Sequence, residues 1–228
     1  MSIDALTQPV RLLGLILLPA LLVGCLSSLL PKDEDSRHFG LPDGQLESSS
    51  DRSLPSLVVD EPIPAPRLES TNLLVISATG EVQRLGGARW VALPAKLVQD
   101  GMVQRLRQLD LARSVDQRAL RIGADWRLSG ELRALQYDPR TRMASVALEL
   151  HLICTTQAHS LGQRAFVGEQ APNDTDPAAI VAALGLALDQ LAVEVGNWLQ
   201  AQPADACAVD AASTSDGFES RRPRSRRF

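Results

Sequence analysis

The chain has 228 residues and a formal net charge of −4, with 45% hydrophobic and only 4% aromatic residues. That length suffices for one domain with a real core, and the mild acidity gives no reason to expect nucleic acid as a partner. Ala, Leu and Val are plentiful, so the core is expected to be aliphatic and made by helices lying on a sheet.

The first segment is an apolar run from Leu12 to Val23, preceded by Arg11 and closed by Leu22-Val23-Gly24-Cys25. A basic residue, an aliphatic stretch and a small residue ahead of a cysteine read as a bacterial lipoprotein signal. On this reading 1–24 is a signal peptide and Cys25 carries acyl chains. Each buried methylene contributes ~0.8 kcal/mol, so several acyl chains hold a protein almost permanently. A plain secretory signal would leave Cys25 an ordinary thiol. An uncleaved anchor over 12–30 would just span a bilayer, but Pro19, Gly24, Ser27 and Ser28 weigh against it. Leu26 follows the cysteine where an Asp would often mark inner-membrane retention, which points to the outer membrane.

Residues 25–66 read as a lipidated tether with extended entry segments. Leu29-Leu30-Pro31-Lys32-Asp33-Glu34-Asp35-Ser36 cannot build a core, whereas Phe39-Gly40-Leu41 and Leu57-Val58-Val59 are extended islands. Compact structure is expected over 67–202. Leu73-Leu74-Val75-Ile76-Ser77 fits a strand covered on both faces. A hairpin-like excursion follows, turning at Gly86-Gly87. Pro94 suits the first turn of a helix whose apolar stripe is Val98, Met102, Leu106 and Leu109, with Gln99, Gln104 and Arg107 on the polar side. Trp90, just ahead of it, is a candidate core anchor and secondarily an interface residue.

Period-two alternation then marks an antiparallel strand pair. Trp126, Leu128, Gly130, Leu132 and Ala134 share one face of the first strand, and Val146, Leu148, Leu150, Leu152 and Cys154 one face of the second. Asp138-Pro139-Arg140-Thr141 supplies the turn. A third, shorter strand is expected around 164–168. Asp176-Pro177 opens a long helix as cap and first residue, with Ile180, Leu184, Leu188, Leu191, Val195 and Trp198 on one face. Residues 203–228 read as a disordered tail containing Arg221, Arg222, Arg224, Arg226 and Arg227.

The sequence presents no catalytic constellation: no GxSxG elbow, Walker loop or GxGxxG occurs. His38, His151 and His159 read as solvated, and Glu131 and Glu149 as neighbours of Arg127 and Arg133. No cysteine or histidine spacing suggests a metal, and no cofactor is expected. Apart from Cys25, Cys154 and Cys207 form an even pair in what should be an oxidising compartment. They are a candidate disulfide; the alternative is a buried thiol and a loose one, because sequence does not set the direction of the last helix over the sheet.

The order of parts resembles the ABC-type transport auxiliary lipoprotein family, which includes the paraquat-inducible protein C lipoproteins. The resemblance rests on the lipobox, Phe39-Gly40-Leu41, the Leu-Val-Ile strand, Arg89-Trp90-Val91-Ala92-Leu93-Pro94 before a helix, and the Asp-capped last helix. It covers roughly 37–201. It implies an outer-membrane lipoprotein facing the periplasm that works with an ABC permease and a mammalian-cell-entry domain protein in intermembrane lipid transport. The role implied is a docking or collar subunit, not an enzyme, with a homo-oligomer among the assemblies considered. Gly40 and Gly86-Gly87 make the entry strands less regular than the family pattern, and the basic tail has no counterpart in it. The rival function is a stand-alone periplasmic lipid- or ligand-binding lipoprotein, which would need an apolar cavity. The fold class expected is α/β (α+β): one domain, a mixed, mostly antiparallel sheet with two helices on one face.

Overall fold

The structure is a computed structural model that describes residues 36–48, 52–117 and 124–207. The expected signal peptide 1–24, Cys25 and residues 26–35, 49–51, 118–123 and 208–228 lie outside the described residues. In chain order the strands are β1 (Arg37–Phe39), β2 (Leu57–Val59), β3 (Ile63–Pro64), β4 (Asn72–Ile76), β5 (Val82–Trp90), β6 (Val115–Asp116), β7 (Trp126–Asp138), β8 (Met143–Cys154) and β9 (His159–Gln170). Helix α1 (Pro94–Leu109) lies between β5 and β6, and helix α2 (Pro177–Gln200) follows β9. The expected α+β class, a mixed sheet with two helices, is what the chain forms.

β7 organises the sheet. On one edge it pairs antiparallel with β8 along its whole length, and β8 pairs in turn with β9. On its other edge three short strands lie end to end and parallel to it. β2 sits beside Trp126 to Leu128, β3 beside Glu131 and Leu132, and β4 beside Gln136 and Tyr137. β5 continues outward from β4, with β1 parallel to it, while β6 flanks β2. The islands at Phe39 and Leu57 to Val59 are therefore strands of the sheet. The compact unit begins at Arg37, not at residue 67. Strands this short carry too little periodicity to be assigned before their neighbours are known.

The alternation of β7 is broken once. Leu132 faces Leu148 but Ala134 faces Ala147, so a bulge at Arg133 shifts the register. Beyond it the inward positions change parity, and Leu135 and Tyr137 enter the core at 0% and 4% exposure. A bulge places two residues against one and so moves every later side chain to the opposite face. The hairpin expected to turn at Gly86-Gly87 turns earlier, where Ser77 N–H donates to Glu81 O and Gly80 adopts φ 89°. Gly87, at φ 67°, lies within β5 where its pairing with β4 slips. The third strand is not short: β9 runs from His159 to Gln170.

Pro94 begins α1, and Asp110 ends it in the left-handed region at φ 53°. Asp176 caps α2, its Oδ1 accepting from Ala178 N–H at 2.8 Å. α2 is long and apolar enough, by length and composition alone, to cross a membrane, but 56% of its most apolar window is buried inside this domain. It lies close on the sheet. A Cβ added at Gly168 of β9 would stand 1.9 Å from the Ala187 carbonyl oxygen, and Gly162 lies under the Trp198 ring. α2 therefore runs antiparallel to β9. Phe166 and Trp198 meet edge to face with centroids 5.5 Å apart.

Gly168→Ala should consequently prise α2 from β9 and destabilise the domain by about 3 kcal/mol. Gly86→Ala, where the added Cβ meets nothing within 4 Å, should change stability by about 0.5 kcal/mol at most. Urea unfolding of the two variants checks this. Equal midpoints would mean that the close approach of helix and strand costs nothing to disturb.

Candidate functional site

The most constrained cluster of the domain lies on its helical side. Arg105 of α1 is 1% exposed although it carries a full charge. Its Nε donates to Asp189 Oδ1 of α2 at 2.6 Å, and its Nη2 to the carbonyl oxygens of Gly185 and Pro42, each at 3.1 Å. Nη1 donates to Gly101 O at 3.2 Å. A buried guanidinium is tolerated only when its donors are matched in this way. Glycines make the approach: a Cβ on Gly44 would stand 2.7 Å from Asp189 Oδ1, and one on Gly101 would stand 2.8 Å from Leu188 Cδ2.

The segment after β1 closes over this ion pair. Gly44 N–H donates to Gln104 Oε1 at 3.2 Å, Leu46 N–H to Gln108 Oε1 at 3.1 Å, and Gln108 Nε2 donates to Gly44 O at 2.7 Å. α1 thus binds an extended stretch of the chain's own backbone through polar side chains. Sequence reasoning put Gln104 on a solvent face and did not single out Arg105 or Asp189. A signal was there: a glycine stands four residues before the charged residue on each helix, Gly101 before Arg105 and Gly185 before Asp189. Gln99 was also expected on the polar side, but it is 6% exposed, and its Nε2 donates to Val59 O at 2.9 Å. That bond serves a carbonyl at the end of β2.

The outer face of the sheet is charged, and several of its charges are paired. Glu131 and Glu149 stand opposite one another, and Arg133 reaches both, at 3.0 and 2.7 Å. Hydrogen bonds from Arg133 and then Gln163 hold the Glu149 carboxyl below its ordinary range. Asp138, hydrogen-bonded by Arg140 across the β7–β8 turn, is lowered to about 2. His38 is exposed on β1, His151 half-buried on β8 and His159 exposed at the start of β9. The sheet brings no two of them together as a pair. Among the described residues, no group of three or more His, Cys, Asp or Glu side chains is placed to hold a metal ion.

Trp90 ends β5 at 1% exposure and lies in the core. Cys154 points into the helical layer at 0% exposure. α2 returns the chain to that end of β8, where Cys207 is bonded to Cys154 with Cα atoms 5.6 Å apart. Residues up to Cys207 are thus placed against the domain, although the tail was expected to start at 203. The apolar space between α1 and the sheet, lined by Val59, Val98, Met102, Leu128, Leu148 and Leu150, measures about 10 Å³. That is barely the room one water molecule needs. Larger depressions, such as the one of about 310 Å³ beside Arg52, Arg107 and Asp116, are more open and mixed in polarity.

A family model described as the ABC-type transport auxiliary lipoprotein component matches residues 39–196. No curated protein matches the sequence. Among solved structures, the chain is similar to a Xanthomonas campestris protein of the DUF330 family, with 21% identity and a TM-score of 0.62 over 71% of this chain and 94% of that one. It is also similar to the crystal structure of an uncharacterized protein, at 14% identity and a TM-score of 0.59 over 73% and 99% of the two chains. At these identities the likeness shows the fold.

Asp189→Ala should leave Arg105 buried without its anion and destabilise the domain by about 3–5 kcal/mol, whereas the double variant Arg105→Met, Asp189→Leu should recover most of that loss. A double-mutant cycle by chemical denaturation measures it. A single variant within about 1 kcal/mol of the parent would show that the pair does not hold the helices.

The 53-residue separation of Cys154 and Cys207 implies that their bridge adds about 4 kcal/mol in the chain-entropy picture. Peptide mass mapping of the exported protein without reductant should recover the two cysteines linked. Two alkylatable thiols after denaturation would end the assignment.

Proposed function

This chain belongs to the ABC-type transport auxiliary lipoprotein component family, and from that membership we propose that it is the outer-membrane-anchored docking or collar subunit of an intermembrane lipid-transport system. The observation that carries this reading is the extent of the match: 39–196 takes in the last residue of β1, the strands from β2 to β9, α1 and most of α2. In this reading Cys25 is acylated and holds the protein at the periplasmic side of the outer membrane. Its partners are an ABC permease and a mammalian-cell-entry domain protein, and the chain contributes surface, not chemistry.

The rigidity of the domain supports such a role. The entry segment, both helices and β2 are linked by buried polar contacts of Arg105 and Gln99, and Arg133 pairs Glu131 and Glu149 on the outer sheet face. A stand-alone lipid carrier is the weaker reading, because a space of about 10 Å³ under α1 is far smaller than the several hundred Å³ typical of ligand pockets. Under the docking reading, activity would depend on the assembly.

Cys25→Ser is expected to yield a folded protein that incorporates no palmitate and leaves the membrane fraction, since Cys25 precedes the compact unit that starts at Arg37. Gentle detergent extraction of the unmodified protein should recover a permease and a mammalian-cell-entry domain protein with it. Full membrane retention of the unlabelled Cys25→Ser protein would favour an uncleaved anchor. Recovery of the unmodified protein without either partner would remove the docking role.

A further inference from the structure

The start of α1 breaks a local rule. Leu93 holds the N-cap position in the extended conformation a cap requires (φ −60°, ψ 139°), but it makes no side-chain hydrogen bond to the helix. Ser, Thr, Asp or Asn at that position would satisfy one of the free N–H groups of the first turn. Leu93 instead stands 48% exposed, and Val91, two residues earlier, is 59% exposed, whereas Trp90 is buried. An exposed leucine in place of a cap forgoes stability and gives the domain itself nothing in return. Departures of that kind are expected where a surface serves a function.

Leu93 adjoins a depression beside the entry segment. Leu93, Leu97, Gly101, Gln104 and Gln108 follow one another at three- and four-residue spacing, and so lie along one side of α1. Gly44 and Leu46 cover the later part of that side through their hydrogen bonds to Gln104 and Gln108. Ahead of them the cover is incomplete. A depression of about 210 Å³ remains between residues 40–43 and the helix, lined by Leu41, Pro42, Asp43, Leu97, Asp100 and Gln104 among others. Gly40 borders it, and a Cβ there would stand 3.8 Å from Val91 Cγ2. Val91 therefore adjoins the rim. Asp43 is exposed, while Asp100 is paired with Lys96 at 2.7 Å.

We infer that this depression receives an extended segment of a partner protein in which one apolar side chain, of leucine or phenylalanine size, is flanked by Lys or Arg. This rests on the docking reading above and deepens it by naming the surface and the chemistry of what docks there. The depression is smaller than a typical small-molecule pocket. It suits a single anchor side chain of the kind that fills a pocket at the centre of a protein interface. Leu93 and Val91 extend the apolar contact beyond the rim. The same side of α1 already holds an extended backbone, that of residues 44–46, through side-chain amides. Gln104 accepts from Gly44 N–H through Oε1, which leaves its amide NH₂ to donate to a second backbone. Because Lys96 balances Asp100, Asp43 leaves the depression net negative, which favours a basic segment and opposes an acidic one.

The full mature chain in detergent is titrated with the peptide Ser-Gly-Lys-Arg-Leu-Lys-Arg-Gly-Ser, and backbone amide shifts are followed. The amides of 41–43 and 93–101 are expected to move, and binding should weaken as salt is raised. Counterparts with Ala for Leu, or Glu for every Lys and Arg, should bind about tenfold more weakly or worse. Leu93→Ser should weaken binding about tenfold yet keep or raise the urea midpoint, because Ser caps the helix. Asp43→Arg, at an exposed position, should weaken binding and reduce its salt dependence. No shift at millimolar peptide overturns the inference, as does undiminished binding by either counterpart or by Leu93→Ser. Movement of the same amides on concentrating the protein alone would assign the surface to a second copy, and movement with phosphatidylcholine vesicles alone would assign it to lipid; either overturns the partner segment. Detergent extraction of cells carrying Leu93→Ser separates this inference from the docking role. Loss of a permease or mammalian-cell-entry domain protein that the unmodified chain recovers supports both. Undiminished recovery overturns this surface and leaves the docking role standing. Recovery of neither partner by the unmodified chain removes the docking role, while the peptide titration still decides the chemistry of the surface.

Discussion

A guanidinium taken almost wholly out of water is costly unless every partner is present, and Arg105 draws its partners from three separate stretches of the chain. Asp189 and Gly185 come from α2, Gly101 from α1 itself, and Pro42 from the segment after β1. The two helices cannot slide or rotate against each other without stranding that charge, and the entry segment cannot lift without exposing it. A buried ion pair is weak evidence for net stability, because apolar residues of similar volume often serve as well. Its contribution here is register: one arrangement of two helices and a strap satisfies it. The small residues around it, Gly44, Gly101 and Gly185, are what allow three backbones to close on a single side chain.

The sheet obeys a second constraint, set by β7. One edge of this strand is saturated by β8, and the other is covered by three short segments from a stretch of chain interrupted by prolines. Pro62 and Pro64 lack an N–H and so suit brief pairings better than a continuous ladder. The bulge at Arg133 lets the same strand supply Trp126, Leu128 and Leu132 to the core at one end and Leu135 and Tyr137 at the other. Beside it, Arg133 gathers Glu131 and Glu149 on the outer face. The result is a layer of aliphatic side chains between sheet and helices, in which the apolar space under α1 measures about 10 Å³.

Much of this was legible because some segments carry their signal locally. The β7–β8 pair shows in its alternation, and α2 shows in Asp176-Pro177 followed by an apolar face. The Trp90-to-Pro94 junction showed the start of α1. Other parts were hidden for a physical reason. β1, β2 and β3 span two or three residues each, so the extended islands at Phe39 and Leu57 to Val59 could be read as extended but not as members of the sheet, and β3 was not singled out. The turn at Gly86-Gly87 was misread because glycine marks a bulge as readily as a hairpin. Gln99 and Gln104 looked solvated, and Arg105 was not singled out, because a helix is read against a single apolar stripe, whereas α1 also meets β2 and the entry segment.

By itself the sequence determined the alternating strand pair, the caps and periodicity of the two helices, the lipobox pattern ending at Cys25 and the family to which the chain is similar. These depend on residues close together along the chain. Only the tertiary structure decided the parity change in β7, the burial of Arg105 beneath residues 42–46, the incorporation of β1, β2 and β3 into the sheet, and the return of Cys207 to Cys154. Each of these depends on groups tens of residues apart meeting in space. The direction in which a helix crosses a sheet, or the partner a short strand finds, follows from how the whole core fills and is not encoded within any one segment.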